Sequence, residues 1–277
     1  GAYMPVDSEY PADRIGYMLS ETRPKLVLVY GYAGSGAYEE VDLAAMDYGK
    51  HPERIENHSF CDDICYVLYT SGSAGTPKAV CVSHANMRNF NNNNKNHYQH
   101  ALLETCGTVL ADTEFTFDIS AFEIFLPLLN GLCLVLAKDT MDATYLAGVI
   151  DRHHVDALHT TPTKILTLLH DRAFQKSIAQ VKVLMVGAEV FTENLYLTVS
   201  KYTDAVLYNG YGPTETTIGC SFKRAGGRHL KCVHELFTEQ VKKAPDKTAL
   251  VFESQKYTYR ELDEMSNSLA HFLREKG

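Results

Sequence analysis

The sequence predicts an α/β fold, a layered helix–sheet–helix arrangement with mostly parallel sheets. Short apolar runs alternate along the chain with stretches of helical spacing. Strands that are apolar on both faces and separated by helices are typical of parallel sheets covered on each side. The predicted strands are 25–30, 65–69, 109–111, 133–136, 157–159 and 183–186. The predicted helices are 10–20, 86–96, 119–129, 145–153, 163–169 and 193–201.

Composition narrows the class of protein. The 277 residues suffice for one large or two modest domains, and 45% are hydrophobic, which allows a full core. A formal net charge of −8 argues against a general nucleic-acid binder. The sequence has no apolar run long enough to span a membrane and begins without the features of a signal peptide. The seven cysteines lack the spacing of a disulfide framework, so free thiols and a cytoplasmic location are expected.

The chain is predicted to divide near residue 222. Residues 1–222 form the core, 223–231 read as a basic, glycine-containing linker or junction, and 232–277 form a small tail. The tail is predicted to hold a helix at 233–243, strands at 248–252 and 257–259, and a helix at 260–276. Its last helix has an apolar stripe, and the tail is too small for a core of its own. We therefore expect the tail to dock on the core.

The first candidate site is a loop rich in glycine and hydroxyl residues that follows the strand at 65–69. Residues 69–78 read YTSGSAGTPK. Backbone N–H groups, hydroxyls and the Lys78 ammonium suit a phosphate chain, although a plain surface turn has the same composition. A P-loop is disfavoured because no Gly-Lys-Ser/Thr closes the segment. The candidate phosphate-binding residues are Thr70, Ser71, Gly72, Ser73, Gly75 and Lys78.

This loop, with SHANM at 83–87, resembles the signature of adenylate-forming enzymes of the AMP-binding superfamily. The resemblance is closest to the amino-acid adenylation domains of nonribosomal peptide synthetases, and it implies the fold of their large amino-terminal domain. Two positions depart from the family pattern. Ala74 replaces a threonine and removes one hydroxyl near the phosphates, and Ala79 replaces a glycine, which suggests altered closure of the loop.

Three further segments resemble the same family in the same order: FDIS at 117–120, VGAE at 186–189 and YNGYGPTETT at 208–217. The resemblance implies that Asp118 pairs with the substrate's α-ammonium group, as a buried ammonium requires a carboxylate. Read alone, Asp118 would be a helix N-cap. The VGAE turn, with Gly187, Ala188 and Glu189, is implied to lie against the base and one wall of the acyl pocket.

The segment at 208–217 is the most specific of these matches, although YGPT is also a good β-turn sequence. By resemblance, Tyr211 packs on the adenine, Asn209 lies at its edge and Gly212 belongs to the same nucleotide site. Thr214 contacts the α-phosphate, and Glu215 is the expected Mg²⁺ ligand, an oxygen donor of the kind that Mg²⁺ takes. Thr214 and Glu215 are the candidate catalytic residues.

The resemblance also assigns the lining of a substrate pocket. The implied residues are Asp118, Ile119, Phe122, His159, Met185, Gly187, Gly210, Ile218 and Gly219. Beyond Asp118 the set has no charged group, His159 is its only other polar side chain, and its glycines are expected to leave volume. The pocket therefore predicts a neutral, mainly apolar amino acid.

The order of the segments departs from the family. Residues 1–14 resemble a later family element, whereas residues 234–262 resemble the family's amino-terminal start. This is a rotated order with a gap, which a circular permutant, an engineered chain or a rearranged gene fragment would each explain. After Ile218 the sequence shows no resemblance to the ribose-binding aspartate, the hinge or the small carboxy-terminal domain with the catalytic lysine. Full turnover by this chain alone is therefore not expected.

The resemblance implies an enzyme that uses ATP and Mg²⁺ to convert an amino acid to an aminoacyl-adenylate. The acyl group then passes to the phosphopantetheine thiol of a peptidyl carrier protein, with neighbouring synthetase domains as further partners. Neither nucleic acid nor membrane is an expected partner. Two alternatives remain: an incomplete or non-catalytic nucleotide-binding fragment, and an acyl- or aryl-acid CoA ligase-like enzyme. Asp118 argues against the second, because those substrates lack the ammonium group.

Overall fold

The computed structural model of the protein describes residues 1–31, 38–50, 53, 55–70, 77–92, 97–226, 233–252 and 255–276. These residues form two compact units, Gly1–Ala225 and Gly226–Gly277. The boundary falls inside the predicted junction at 223–231. None of the helices in the described part of the chain is long and apolar enough to cross a membrane.

The large unit begins with helix α1 (Ala12–Thr22) and two small strand pairs. Strands β1 (Val27–Val29) and β2 (Glu40–Asp42) pair in parallel. Strands β3 (Ile64–Thr70) and β4 (Lys78–Ser83) are antiparallel and flank the predicted phosphate-binding loop. Helices α2 (His84–Asn92) and α3 (His97–Thr105) follow.

The main sheet has six strands in the order β10-β9-β8-β7-β5-β6, and only β10 runs antiparallel to its neighbour. The strands are β5 (Thr108–Ala111), β6 (Cys133–Leu136), β7 (Ala157–Thr160), β8 (Val183–Gly187), β9 (Val206–Tyr211) and β10 (Ser221–Arg224). The connecting helices are α4 (Asp118–Leu129), α5 (Ala143–His153), α6 (Pro162–Leu168), α7 (Arg172–Ser177) and α8 (Glu193–Val199).

Successive side chains of the central strands enter two separate cores, one on each face of the sheet. Met185 packs with side chains of α2, α3 and α4, whereas its neighbours Leu184 and Val186 pack with those of α5 to α8. A strand with both faces covered must be apolar at successive positions. This explains why the central strands read as continuous apolar runs, and the predicted helix–sheet–helix fold is confirmed.

The predicted strands and helices are present, with shifted ends, and the elements that sequence missed are short or polar. Of the predicted helix 86–96, the described residues belong to α2 (His84–Asn92), residues 93–96 lie outside the described part of the chain, and α3 was not foreseen. Strand β4 contains lysine and serine, and it forms because β3 supplies its hydrogen-bond partners. Helix α7 is one short turn whose start is fixed by Asp171, whose carboxylate accepts from two backbone N–H groups.

The small unit consists of helix α9 (Val233–Lys243), strands β11 (Thr248–Phe252) and β12 (Gln255–Thr258), and helix α10 (Tyr259–Lys276). The two strands form an antiparallel hairpin, and the rings of Phe237 and Tyr259 join the two helices with centroids 5.9 Å apart. Arg260 pairs with Asp246 at 2.9 Å. Docking of this unit on the large one remains a prediction.

A buried polar network lies between β5 and β7, where the strand order reverses. Lys164 Nζ on α6 stands 2.8 Å from Asp112 Oδ2, directly after β5. Glu123 on α4 accepts hydrogen bonds from the backbone N–H groups of Asp112 and Thr113, each 3.1 Å long. His159 Nδ1 on β7 lies 3.4 Å from Glu123 Oε1. The network thereby fixes α4 and α6 to the carboxyl ends of these strands.

We expect Asp112→Asn to change how stability depends on pH. Burial raises the pKa of Asp112 to about 6, although the Lys164 ammonium lowers it. The folded protein therefore holds this proton more tightly than the unfolded chain, and stability is lost as pH rises from about 4 to about 6. In Asp112→Asn, the free energy of unfolding should decrease by about 1–3 kcal/mol less over this pH range than in the wild type. One pKa unit corresponds to about 1.4 kcal/mol.

Urea unfolding of the wild type and Asp112→Asn between pH 4 and 7 would measure this difference. Asp13→Asn, at an exposed aspartate on α1, is the control and should keep the wild-type profile. Parallel curves for the wild type and Asp112→Asn would contradict the prediction.

Ala188 is expected to strain the turn that follows β8. Its φ of 66° lies in the left-handed region, where a Cβ costs about 1–2 kcal/mol. Because glycine also adds entropy to the unfolded chain, Ala188→Gly should raise the free energy of unfolding by about 0.5–1 kcal/mol. Ala173→Gly, in helix α7, should lower it instead. Chemical denaturation of both variants is the measurement, and equal losses of stability would contradict the strain.

Candidate functional site

One cavity of about 60 Å³ lies at the carboxyl ends of β8 and β9. The two strands are parallel, with Gly187 opposite Gly210, so the turns that follow them meet at one edge of the sheet. The first turn of α4 closes another side. Of the predicted pocket residues, Asp118, Ile119, Met185, Gly187, Gly210, Ile218 and Gly219 line the cavity. The rest of the lining is Ala188, Tyr211, Gly212 and Phe222.

Glycines shape this site because backbones approach closely there. A Cβ on Gly187 would stand 2.9 Å from the carbonyl oxygen of Gly210, so a side chain would force β8 and β9 apart. A Cβ on Gly212 would lie 2.5 Å from the Cα of Gly219. Both distances are shorter than real Cβ contacts, and the fold of this edge therefore requires glycine at 187 and 212.

Asp118 opens α4 and places its carboxyl group at the cavity wall. Burial raises the pKa of Asp118, and the carboxylate of Glu215 raises it further. Hydrogen bonds from the Thr214 side chain and the backbone N–H of Ile119 act in the opposite direction. The groups that act on Asp118 are therefore hydrogen-bond donors and a second carboxylate, and none of these is a cation. A ligand ammonium at this position would supply the missing charge.

The end of β9 and the segment that follows it carry an exposed aromatic ring and an exposed carboxylate. Tyr211 is 69% exposed at the mouth of the cavity. Thr214–Thr216 form a short 3₁₀ turn, with Glu215 exposed on it. Thr217 and Ile218 follow with φ of 65° and 69°, a strained conformation for a β-branched residue. The left-handed pair turns the chain back so that Ile218 and Gly219 reach the cavity.

The donor set suits a Mg²⁺ ion that arrives with a nucleotide rather than a cage made by protein alone. Within the described ranges no three His, Cys, Asp or Glu side chains gather around one point. Mg²⁺ keeps several waters and binds through one or two carboxylates together with substrate phosphates. Glu215, exposed and close enough to Asp118 to raise its pKa, fits that requirement.

Two predicted pocket residues lie behind the lining instead of in it. His159 is 1% exposed, with one ring nitrogen hydrogen-bonded to the hydroxyl of Tyr98 and the other facing Glu123. Phe122 is equally buried, with its ring centroid 4.8 Å from that of His159. His159 was expected to line the pocket, either as a hydrogen-bonding group or as a neutral ring, and it does neither in the lining of this cavity. Its two ring nitrogens face protein partners from α3 and α4, and no local sequence pattern predicts contacts between such distant elements.

The expectation that the pocket glycines leave volume is also wrong. A Cβ on Gly219 would lie 2.4 Å from Cζ of Phe222, and one on Gly210 would lie 3.0 Å from Sδ of Met185. Neighbouring side chains already fill the space that these glycines vacate. Phe222 was missed because β10 reads SFKR, a short polar segment in which one aromatic residue carries no family signal.

The predicted nucleotide-binding residues do not all lie in one place. Ser71, Gly72, Ser73 and Gly75 lie outside the described residues. Thr70 and Lys78 pair across the start of the loop in the β3–β4 hairpin. Glu189 points to the start of α6, where its carboxylate accepts from the Thr163 hydroxyl at 2.5 Å, and this bond lowers its pKa.

Asn209 and Tyr211 lie on β9, with Asn209 opposite Val186, and both are next to the glycine turns. The structure thus brings Gly187, Ala188, Tyr211 and Gly212 together in the cavity lining and leaves Glu189 engaged elsewhere.

The sequence is similar to those of peptide synthetases. Tyrocidine synthase 3 of Brevibacillus parabrevis is 34% identical over 229 residues, 80% of this chain and 4% of that protein. Vanchrobactin synthetase VabF of Vibrio anguillarum is 31% identical over 242 residues, 83% of this chain and 8% of that protein. The chain therefore spans less than a tenth of the length of either relative.

Solved structures share the fold. PA1221, a nonribosomal peptide synthetase protein containing adenylation and PCP domains, superposes with a TM-score of 0.72 at 21% identity, over 84% of this chain and 40% of that one. The synthetase FmoA3 gives a TM-score of 0.70 at 20% identity, over 84% of this chain and 25% of that one. The profile of the AMP-binding enzyme family matches residues 1–233 and 237–277. The chain belongs to the AMP-binding enzyme family.

Proposed function

We propose that this chain binds ATP and an amino acid and forms the aminoacyl-adenylate for nonribosomal peptide synthesis. The observation that carries the proposal is the convergence of Asp118, Tyr211 and the turn at 187–188 on one cavity. That cavity offers a desolvated carboxylate to an ammonium group and an aromatic face to a base. The similarity to peptide synthetases supports the same substrate class.

The proposed reaction needs no side-chain nucleophile. A carboxylate oxygen of the amino acid attacks the α-phosphorus of ATP and the bond to the β-phosphate oxygen breaks, so pyrophosphate leaves with the electron pair. Asp118 holds the ammonium and Thr214 contacts the α-phosphate. Glu215 would hold a Mg²⁺ ion, which would supply charge neutralisation for the phosphates. Such transfers depend mainly on positioning and charge neutralisation. We assign Thr70 and Lys78, at the two ends of the phosphate-binding loop, to the leaving pyrophosphate.

The activated acyl group requires an acceptor. We propose that it passes to the phosphopantetheine thiol of a peptidyl carrier protein, whose sulfur attacks the carbonyl carbon and releases AMP. Neighbouring synthetase domains are the further proposed partners, in the cytoplasm. PA1221 contains adenylation and PCP domains, which supports this pairing.

We also propose that the chain holds family elements in rotated order and needs a carboxy-terminal domain for turnover. The break in the family match at 234–236 falls where the sequence returns to the family's opening elements, which supports the rotation. ATP–pyrophosphate exchange, with and without a carboxy-terminal domain of a relative, tests both the activity and this dependence. Amino acids should give exchange. Exchange with benzoate or fatty acids alone would favour the aryl- or acyl-acid alternative.

We expect Asp118→Asn to weaken amino-acid binding more than tenfold, since loss of a buried charge partner costs about 2–5 kcal/mol. Because burial raises the pKa of Asp118, wild-type affinity should also fall as pH approaches that raised value from above. Calorimetric titration of the amino acid in the presence of an ATP analogue measures both effects. Glu114→Gln, at an exposed carboxylate outside the cavity, is the control. Affinity of Asp118→Asn within about twofold of wild type would remove Asp118 from its proposed role.

Binding of a non-hydrolysable ATP analogue should depend on Mg²⁺ through Glu215. We expect Glu215→Gln to abolish the gain in affinity that Mg²⁺ provides, while binding without the metal stays near the wild-type level. Tyr211→Ala should weaken binding under both conditions by about 1–3 kcal/mol, the usual value of base stacking on an aromatic ring. Glu193→Gln, on the exposed start of α8, is the matched control. Absence of heat at millimolar analogue would instead favour the incomplete fragment.

A further inference from the structure

The cavity is closed by one side chain that the family resemblance does not assign to it. Strand β10 pairs antiparallel with β9, which places Phe222 directly opposite Gly210. Since Gly210 has no side chain, the Phe222 ring crosses over it with Cε1 3.4 Å from the position of a Cβ. The far end of the ring reaches Gly219, and its Cζ lies 2.4 Å from the position that a Cβ on Gly219 would take. The ring of Phe222 thus fills the space that is left by the absence of side chains at Gly210 and Gly219.

The ring is held by a stack of buried aromatic side chains. Tyr98 on α3 lies against Phe222 with ring centroids 5.4 Å apart and an interplanar angle of 15°. Phe90 on α2 packs on the same ring at 6.1 Å. Tyr98 is fully buried, and His159, which faces Glu123, forms a hydrogen bond with its hydroxyl. Swinging Phe222 out of the cavity would leave a void beside Tyr98, so the ring is a fixed wall.

The remaining volume decides what can enter. An engineered apolar cavity of about 150 Å³ in another protein binds one benzene molecule. The cavity between Asp118 and Phe222 measures about 60 Å³, less than half of that. Apart from Asp118, the lining side chains are uncharged, and Ile119, Met185 and Ile218 are apolar. The space therefore fits a small uncharged group, such as a hydrogen atom or a methyl, beside the ammonium-binding carboxylate.

We propose that Phe222 is a specificity-determining residue that restricts the substrate to an amino acid with a very small side chain. This inference rests on the proposed amino-acid activation and replaces the broader expectation of any neutral, apolar amino acid. It assigns the size limit to a residue of β10 rather than to the residues of β8, β9 and α4 that the family resemblance places in the pocket. Removal of the ring would join the cavity to the face of Tyr98, which is apolar and aromatic.

The test is a binding panel of aminoacyl sulfamoyl adenosines, non-hydrolysable mimics of the adenylate, that carry glycyl, alanyl, leucyl or phenylalanyl groups. Their common adenosine part keeps nucleotide binding constant while the acyl group changes size. Wild-type protein should bind the glycyl or alanyl compound at least about tenfold more tightly than the leucyl and phenylalanyl compounds, the scale expected of steric selection. In Phe222→Ala the difference should shrink below about threefold or reverse.

Two further variants keep the result interpretable. Phe222→Leu retains an apolar core contact and should shift the preference to an intermediate size, so it decides the question if Phe222→Ala does not fold. Phe125→Ala removes a ring from the same core, where it packs on Tyr3 at 6.3 Å outside the cavity lining. It should lower stability and leave the preference of the wild type.

The outcomes separate the two proposals. Equal selectivity in the wild type, Phe222→Leu and Phe222→Ala, with tight binding throughout, would overturn the role of Phe222 and leave amino-acid activation standing. Tight wild-type binding of the leucyl or phenylalanyl compound would overturn the size limit in the same way. Failure of every compound to bind any folded variant would overturn the proposed function and the inference with it.

Discussion

The close approach of β8 and β9 at their carboxyl ends is the constraint on which the candidate site depends. With Gly187 opposite Gly210, the two strands remain in register to the last residue of β8, and their turns leave the sheet side by side. The carbonyl oxygen of Gly210 lies only 2.9 Å from the position that a Cβ on Gly187 would take, which is too close for a side chain. Absence of a side chain is therefore a structural requirement here, and it places Ala188 and Tyr211 on the same small cavity. The residues proposed for the nucleotide and those proposed for the acyl group share an edge because these backbones are in contact.

In open α/β sheets the crevice at the point where strand order reverses is the usual ligand site. Here that point lies between β5 and β7, and it is filled by Asp112, Glu123, His159 and Lys164. Every one of these side chains is buried or nearly so, and each faces another member of the network. These side chains fill the crevice and leave no room there for a ligand. The cavity lies instead farther along the sheet, at the ends of β8 and β9. The buried network also holds the helix whose first residue is Asp118, and thus positions the carboxylate at the cavity wall.

Sequence reasoning recovered the parts of the fold that depend on local patterns. Continuous apolar runs predicted the buried strands, because covering both faces of a sheet demands apolar residues at successive positions. The same reasoning missed β4 and β10, whose strand conformation comes from a partner strand rather than from their own residues. At the site it identified the glycine turns and Asp118 but misjudged the volume. A glycine in a sequence indicates that a side chain is absent, but it does not indicate which neighbouring side chain fills the space left beside it. Phe222 and Met185 enter it here.

Strain around the cavity follows from the same geometry. Ala188, Thr217 and Ile218 all have left-handed backbones, and all lie in the turns that bring the cavity walls together. Residues held in such conformations cost about 1–3 kcal/mol each and persist where the surrounding structure determines them. The determining elements are rigid: two parallel strands that approach closely at glycines, helix α4, whose Glu123 accepts hydrogen bonds from the backbone after β5, and an aromatic stack behind Phe222. A wall built in this way does not adapt to a larger ligand, because relaxing any one turn would separate the backbones that form the others. Rigidity of the scaffold therefore holds Phe222 in place as the wall that we propose to limit the size of the substrate side chain.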